Sequence, residues 1–155
     1  MREVSAAEIT ESVKRLCIEA NCRLPADMKA RIAACCAAEP WPQGKLLLSQ
    51  LPDSEVLRRT QGTMQAFTPH TITEPQKLLQ ALHTIREDGY AVEDGEYKIG
   101  LRSVSAPVWD RYGHPQYALG VVGLFRRVAS PEFQDTIHRV TETATQLSEL
   151  LKNGM

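Results

Sequence analysis

Two runs of sequence decide the fold: Leu101-Arg102-Ser103-Val104-Ser105-Ala106-Pro107-Val108-Trp109 and the apolar stretch from Tyr117 to Phe125. In the first, Val104, Ala106 and Val108 recur at every second position, the period of a strand with one buried face. Between the runs lies Asp110-Arg111-Tyr112-Gly113, a turn of the Asp-first, Gly-last kind. Together they predict an antiparallel hairpin.

Working outward, Tyr90 to Val92 reads as a short strand, and Gly95 and Gly100 bracket a loop. Leu78, Leu79, Leu82 and Ile85 form a helical stripe before it. Thr73 and Gln76 have capping-box spacing, Pro75 suits the first turn, and Gly89 suits the C-terminal cap. Short helices are expected over Lys45 to Gln50 and from Asp53 to about Thr60, with residues 61–70 as loop. On the other side, Ser130-Pro131-Glu132 opens a long helix. Its stripe is Phe133, Ile137, Val140, Ala144, Leu147 and Leu151. The favoured reading packs this stripe on the sheet; a dimer seam is the alternative. The fold class is therefore α+β, an antiparallel sheet with packed helices.

The N-terminal segment is different. Ser5 and Glu8 form a capping box ahead of Ile9, Val13, Leu16, Cys17 and Ala20. A second stripe follows Pro25 through Met28, Ile32, Cys35 and Cys36, until Pro40 and Pro42 stop it. Two helices are expected there, so the chain divides into residues 1–43 and 44–155.

Composition narrows the function. With 43% hydrophobic and 24% charged residues and a net charge of −1, the chain matches an ordinary globular protein. That balance argues against direct nucleic-acid contact. No apolar run is long enough to span a bilayer, and the first residues do not read as a signal peptide, so a cytoplasmic location is expected. Cys17, Cys22, Cys35 and Cys36 include no Cys-x-x-Cys pair. Adjacent helical cysteines diverge by about 100°, so no metal site is expected. His70, His83, His114 and His138 are scattered without a spaced nucleophile or carboxylate. The acidic run Glu93-Asp94-Gly95-Glu96 reads as a solvated loop from which one carboxylate can face a pocket. No catalytic residues and no cofactor are expected.

Four segments in order carry a resemblance. They are Gly44-Lys45-Leu46-Leu47-Leu48-Ser49-Gln50-Leu51-Pro52-Asp53-Ser54-Glu55, the loop Phe67-Thr68-Pro69-His70-Thr71-Ile72-Thr73, Ile85 to Glu96, and Gly100 to Asp110. They resemble the C-terminal part of the effector-binding domain of IclR-type transcriptional regulators. The resemblance implies a truncated, GAF-like small-molecule-sensing module, without the winged helix-turn-helix of complete regulators. It also implies a small carboxylate effector held near Pro42 and Gln43, with Pro42 lacking one N–H donor. Glu93 and Ser103 correspond to the family's polar pocket positions, and Gly120 and Val122 to small polar residues of the last strand. Gln43, Glu93, Ser103, Gly120 and Val122 are thus the candidate ligand-binding residues.

Arg15-Leu16-Cys17-Ile18-Glu19-Ala20-Asn21 and Leu24-Pro25-Ala26-Asp27 resemble the N-terminus of the α subunit of class I fumarases and tartrate dehydratases. The two resemblances meet at Gly44-Lys45. The alternative function is a dehydratase fragment or docking protein without activity of its own. A short sheet with open edges implies self-association as a homo-oligomer, or pairing with a full-length regulator.

Overall fold

The computed structural model describes residues 42–62 and 64–153. Everything expected of residues 1–41, including the two helices, all four cysteines and the dehydratase-like run, lies outside them.

Among the described residues the order is α1 (Pro42–Leu48), α2 (Asp53–Thr60), α3 (Pro75–Asp88), β1 (Ala91–Asp94), β2 (Arg102–Trp109), β3 (Pro115–Gly123) and α4 (Pro131–Lys152). The strands form one antiparallel sheet in the order β1-β2-β3. The α+β expectation is met.

The predicted hairpin is β2–β3. Val104, Ala106 and Val108 pair with Val121, Leu119 and Tyr117, and a one-residue irregularity follows before Trp109 meets Pro115. The turn closes with the Gly113 amide donating to the Asp110 carbonyl at 3.2 Å. Gly113 sits at φ 75°, a conformation that favours glycine. Asp110 Oδ1 also accepts from the Tyr112 and His114 amides. The strand stops at Gly123 rather than Phe125, because Gly123 already pairs with Arg102, the first residue of β2. Leu124 is therefore exposed, while Phe125 turns inward to an edge-to-face contact with Phe133 at 4.8 Å.

The sheet has helices on both faces. Val104, Ala106 and Val108 pack on Phe133, Ile137, Val140, Ala144 and Leu147 of α4. The long stripe therefore covers the sheet, as favoured from sequence. Ser130 caps α4 by accepting from the Phe133 amide. On the opposite face, Ala91 joins a core with Leu46 and Leu48 of α1, Val56 of α2 and Leu78, Leu79, Leu82 and Ile85 of α3.

Two local expectations are corrected. The Thr73–Gln76 capping box does not form; Glu74 is the N-cap and makes no side-chain cap bond. Pro75 takes the first helical position, which sets the cap one residue before it and leaves Thr73 outside the helix. The first helix begins at Pro42 and ends at Leu48, not Lys45 to Gln50. A proline is tolerated in a first turn because its missing N–H has no intrahelical partner there. Gly89 caps α3 at φ 79°, as expected.

Candidate functional site

Directly opposed residues of an antiparallel pair share a face. Glu93 opposes Ser103, Ser103 opposes Val122, and Ser105 opposes both Ala91 and Gly120. Since Ala91 belongs to the core beneath α1, all these positions face α1, away from α4. Glu93, Ser103, Gly120 and Val122 thus lie on one face of the sheet, and α1 brings Gln43 to it.

The polar groups there are mostly satisfied by one another. Glu93 is fully buried; its Oε2 accepts from Ser103 Oγ at 3.2 Å, and its Oε1 accepts from the Tyr97 amide at 3.0 Å. A buried carboxylate needs such donors. Lys45, on α1, donates to the Val92 carbonyl at 2.8 Å and forms a short ion pair with Glu96. Both members are buried. Burial pushes the Glu96 carboxyl above the usual range, Lys45 pulls it back, and Glu93 and Asp94 add to the rise. The acidic run is therefore only partly a solvated loop: Glu93 and Glu96 turn inward, while Asp94 and Tyr97 stay exposed.

The third segment, from Phe67 to Thr73, holds this corner in place. Thr68 Oγ1 donates to the Gly95 carbonyl at 2.7 Å, and Thr71 Oγ1 donates to the Glu96 carbonyl. Phe67 lies 5.5 Å from Tyr97 between ring centres.

Near β3 the face is different. Gly120 is exposed, and a Cβ built on it would lie within 3.0 Å of both Ser105 Oγ and Gln43 Nε2. The missing side chain leaves a notch lined by a hydroxyl and an amide. Ser105 is fully buried, and its Oγ has no hydrogen-bond partner among the described residues. Val122 beside it is 54% exposed, so this end of the face opens to solvent. Sequence reasoning missed Ser105, Lys45 and Glu96. The strand period did place Ser105 on the face of Ser103, and that signal was available.

Other groups stay apart from this face. His83 bonds Asp53 at 2.8 Å on the exposed side of α2 and α3. His70, His114 and His138 are exposed. A cavity of about 340 Å³ lies at the start of α4, lined by Arg126, Arg127, Ser130, Pro131 and Glu132; none of these was a candidate. Among the described residues no group of three His, Cys, Asp or Glu can hold a metal ion, and no helix is long and apolar enough to cross a membrane.

Residues 26–149 match the family model described as bacterial transcriptional regulator IclR C-terminal. The match begins inside the segment whose first residues resemble the dehydratases. The chain is 28% identical to the HTH-type transcriptional repressor AllR of Escherichia coli K12 over 142 residues, covering 91% of this chain and 48% of the repressor. It is 31% identical to the HTH-type transcriptional regulator XynR of the same strain over 109 residues, covering 70% of this chain and 43% of the regulator. The chain thus spans about half the length of the curated relatives it matches. Both relatives are regulators, not enzymes. Among solved structures, the C-terminal domain of E. coli KdgR superposes with a TM-score of 0.66 at 28% identity, over 74% of this chain and 71% of that one. The inducer-binding domain of Acinetobacter PobR, a double mutant in complex with 3-hydroxybenzoic acid, gives 0.65 at 25% identity, over 73% and 66%. With its sheet, its helices and its sequence in agreement, the chain belongs to the IclR family, as a C-terminal effector-binding part of these transcriptional regulators.

Proposed function

We propose that this chain senses a small carboxylate on the α1 face of its sheet. One observation carries the reading: Gln43, Glu93, Ser103, Gly120 and Val122, from three strands and a helix, converge on a single face with an open end. Convergent polar groups beside apolar walls are what a small-molecule site requires. The inducer-binding domain of PobR, similar in fold, was solved with an aromatic carboxylic acid, which supports the class. Glu93 and Ser103 orient the ligand through the hydroxyl and carboxylate they already share, and Gln43 reaches it from α1. Val122 supplies the wall.

We also propose that the module acts as an oligomer, with its own copies or with a full-length regulator. β3 is an edge strand, and Gln116 to Gly123 contains no charge. Open edges without charged or proline blocks pair readily with another strand.

A thermal melt tests the sensing role, alone and with glyoxylate, pyruvate, fumarate, tartrate or 3-hydroxybenzoate. A ligand at 100 times its dissociation constant adds about 2.7 kcal/mol. One acid should raise the transition. No shift with any acid, or no cooperative transition at all, defeats the reading.

A further inference from the structure

The effector reading leaves one group unused. Ser105 Oγ is fully buried and has no partner among the described residues. A buried hydroxyl left unbonded costs about 1–3 kcal/mol. It is not sealed in a dry core, however. It borders the notch over Gly120, which is exposed, and the Gln43 side-chain amide borders the same notch. Two donors separated by one absent Cβ are spaced to bind a single small acceptor group between them.

We infer that Ser105 and Gln43 form the acceptor-oxygen subsite of the effector, with one carboxylate oxygen seated in the Gly120 notch. The inference rests on the effector reading above and names the atoms that read the ligand's charged end. Ser105 Oγ–H and Gln43 Nε2–H donate to that oxygen. Hydrogen bonds to an ionised acceptor are roughly twice as strong as neutral ones. The neighbouring cation does not compete for this role, because Lys45 is already paired with Glu96. Glycine at 120 is required by space: any side chain would occupy the oxygen's place. At Ser103 the arrangement is the reverse. Its hydroxyl is committed to Glu93, so that pair presents an acceptor to the ligand's other end. The face therefore has a donor end at Ser105 and an acceptor end at Glu93, about two strand residues or roughly 7 Å apart. A small hydroxy acid or hydroxy-aromatic acid matches this polarity.

The test is calorimetric titration of the full chain with pyruvate, glyoxylate and 3-hydroxybenzoate, for the wild type, Ser105→Ala and Gly120→Ala. Ser105→Ala removes an unbonded hydroxyl, so its melting temperature without acid should equal or exceed that of the wild type. It should bind the acid at least about tenfold more weakly, and Gly120→Ala should abolish binding. The double variant Ser105→Ala/Gly120→Ala relieves the clash with Oγ and still fills the notch, so it too should not bind. If an acid binds the wild type and Ser105→Ala and Gly120→Ala bind it equally well, the subsite is overturned and the effector reading survives. If none of the three acids binds the wild type, both fall together.

Discussion

Lys45 of α1 and Glu96, just beyond β1, form a buried ion pair that joins the first described helix to the sheet's far corner. The pair is held at both ends: Lys45 also bonds the Val92 carbonyl, and Thr71 fixes the Glu96 backbone. Lys45→Met leaves a buried carboxylate without its cation. Removing one partner of such a pair typically costs about 3–5 kcal/mol. Chemical denaturation at neutral pH should show that loss.

The same pair sets a pH dependence. Burial raises the Glu96 carboxyl above its model value of 4.5. The folded state then holds the proton more tightly than the unfolded chain. Glu96 therefore costs no stability below about pH 4.5, and its penalty grows as pH rises through the raised folded value. Lys45→Met raises that value further. The destabilisation by Lys45→Met should thus be smaller at pH 4 than at pH 7. An equal loss at both values would show that Glu96 is not the responsible group. Asp53 and Glu55 act in the opposite sense. Hydrogen bonds from His83 lower Asp53, and bonds from Arg58 and Arg59 hold Glu55 at about 2, but both carboxylates lie at the surface, where solvent screens them.

Phe133 is fully buried between α4 and the sheet and stacks edge-on with Phe125. Phe133→Ala should cost about 3–5 kcal/mol. Because the stripe covers this chain's own sheet, the loss should not depend on protein concentration. A concentration-dependent loss in equilibrium unfolding would instead place the helix in a dimer seam.

Gly89 ends α3 at φ 79°. No heavy atom lies within 4 Å of a built Cβ there, so a substitution meets strain but no clash. Gly89→Ala should destabilise by about 1–2 kcal/mol, read as a lower urea midpoint with an unchanged slope.

Val121 is 41% exposed on β3, pointing to the α4 side and away from the proposed ligand face. Val121→Lys places a charge on the uncharged edge. Light scattering should show a smaller particle than the wild type, with ligand-induced thermal shifts unchanged. A wild type that is already monomeric would remove the case for pairing through this edge.

Local sequence determined much of the fold. The stripe from Phe133 to Leu147, the alternation at Val104, Ala106 and Val108, and the Asp110–Gly113 turn each depend on neighbours a few residues apart. Backbone period and turn chemistry act at that range, so residue order alone reveals them. Even the misplaced cap at Thr73 was a local matter, since Pro75 at the first helical position sets the cap at Glu74. The candidate residues were legible only through the family resemblance. Their meeting on one face follows from strand register, and register depends on which strands pair. The tertiary structure alone decided the partners. Lys45 meets Glu96 across 51 positions, and Gln43 approaches Ser105 only because α1 lies on the face opposite α4. Hydrogen bonds and ion pairs form between groups close in space, and residue order does not encode that distance until the layers have packed.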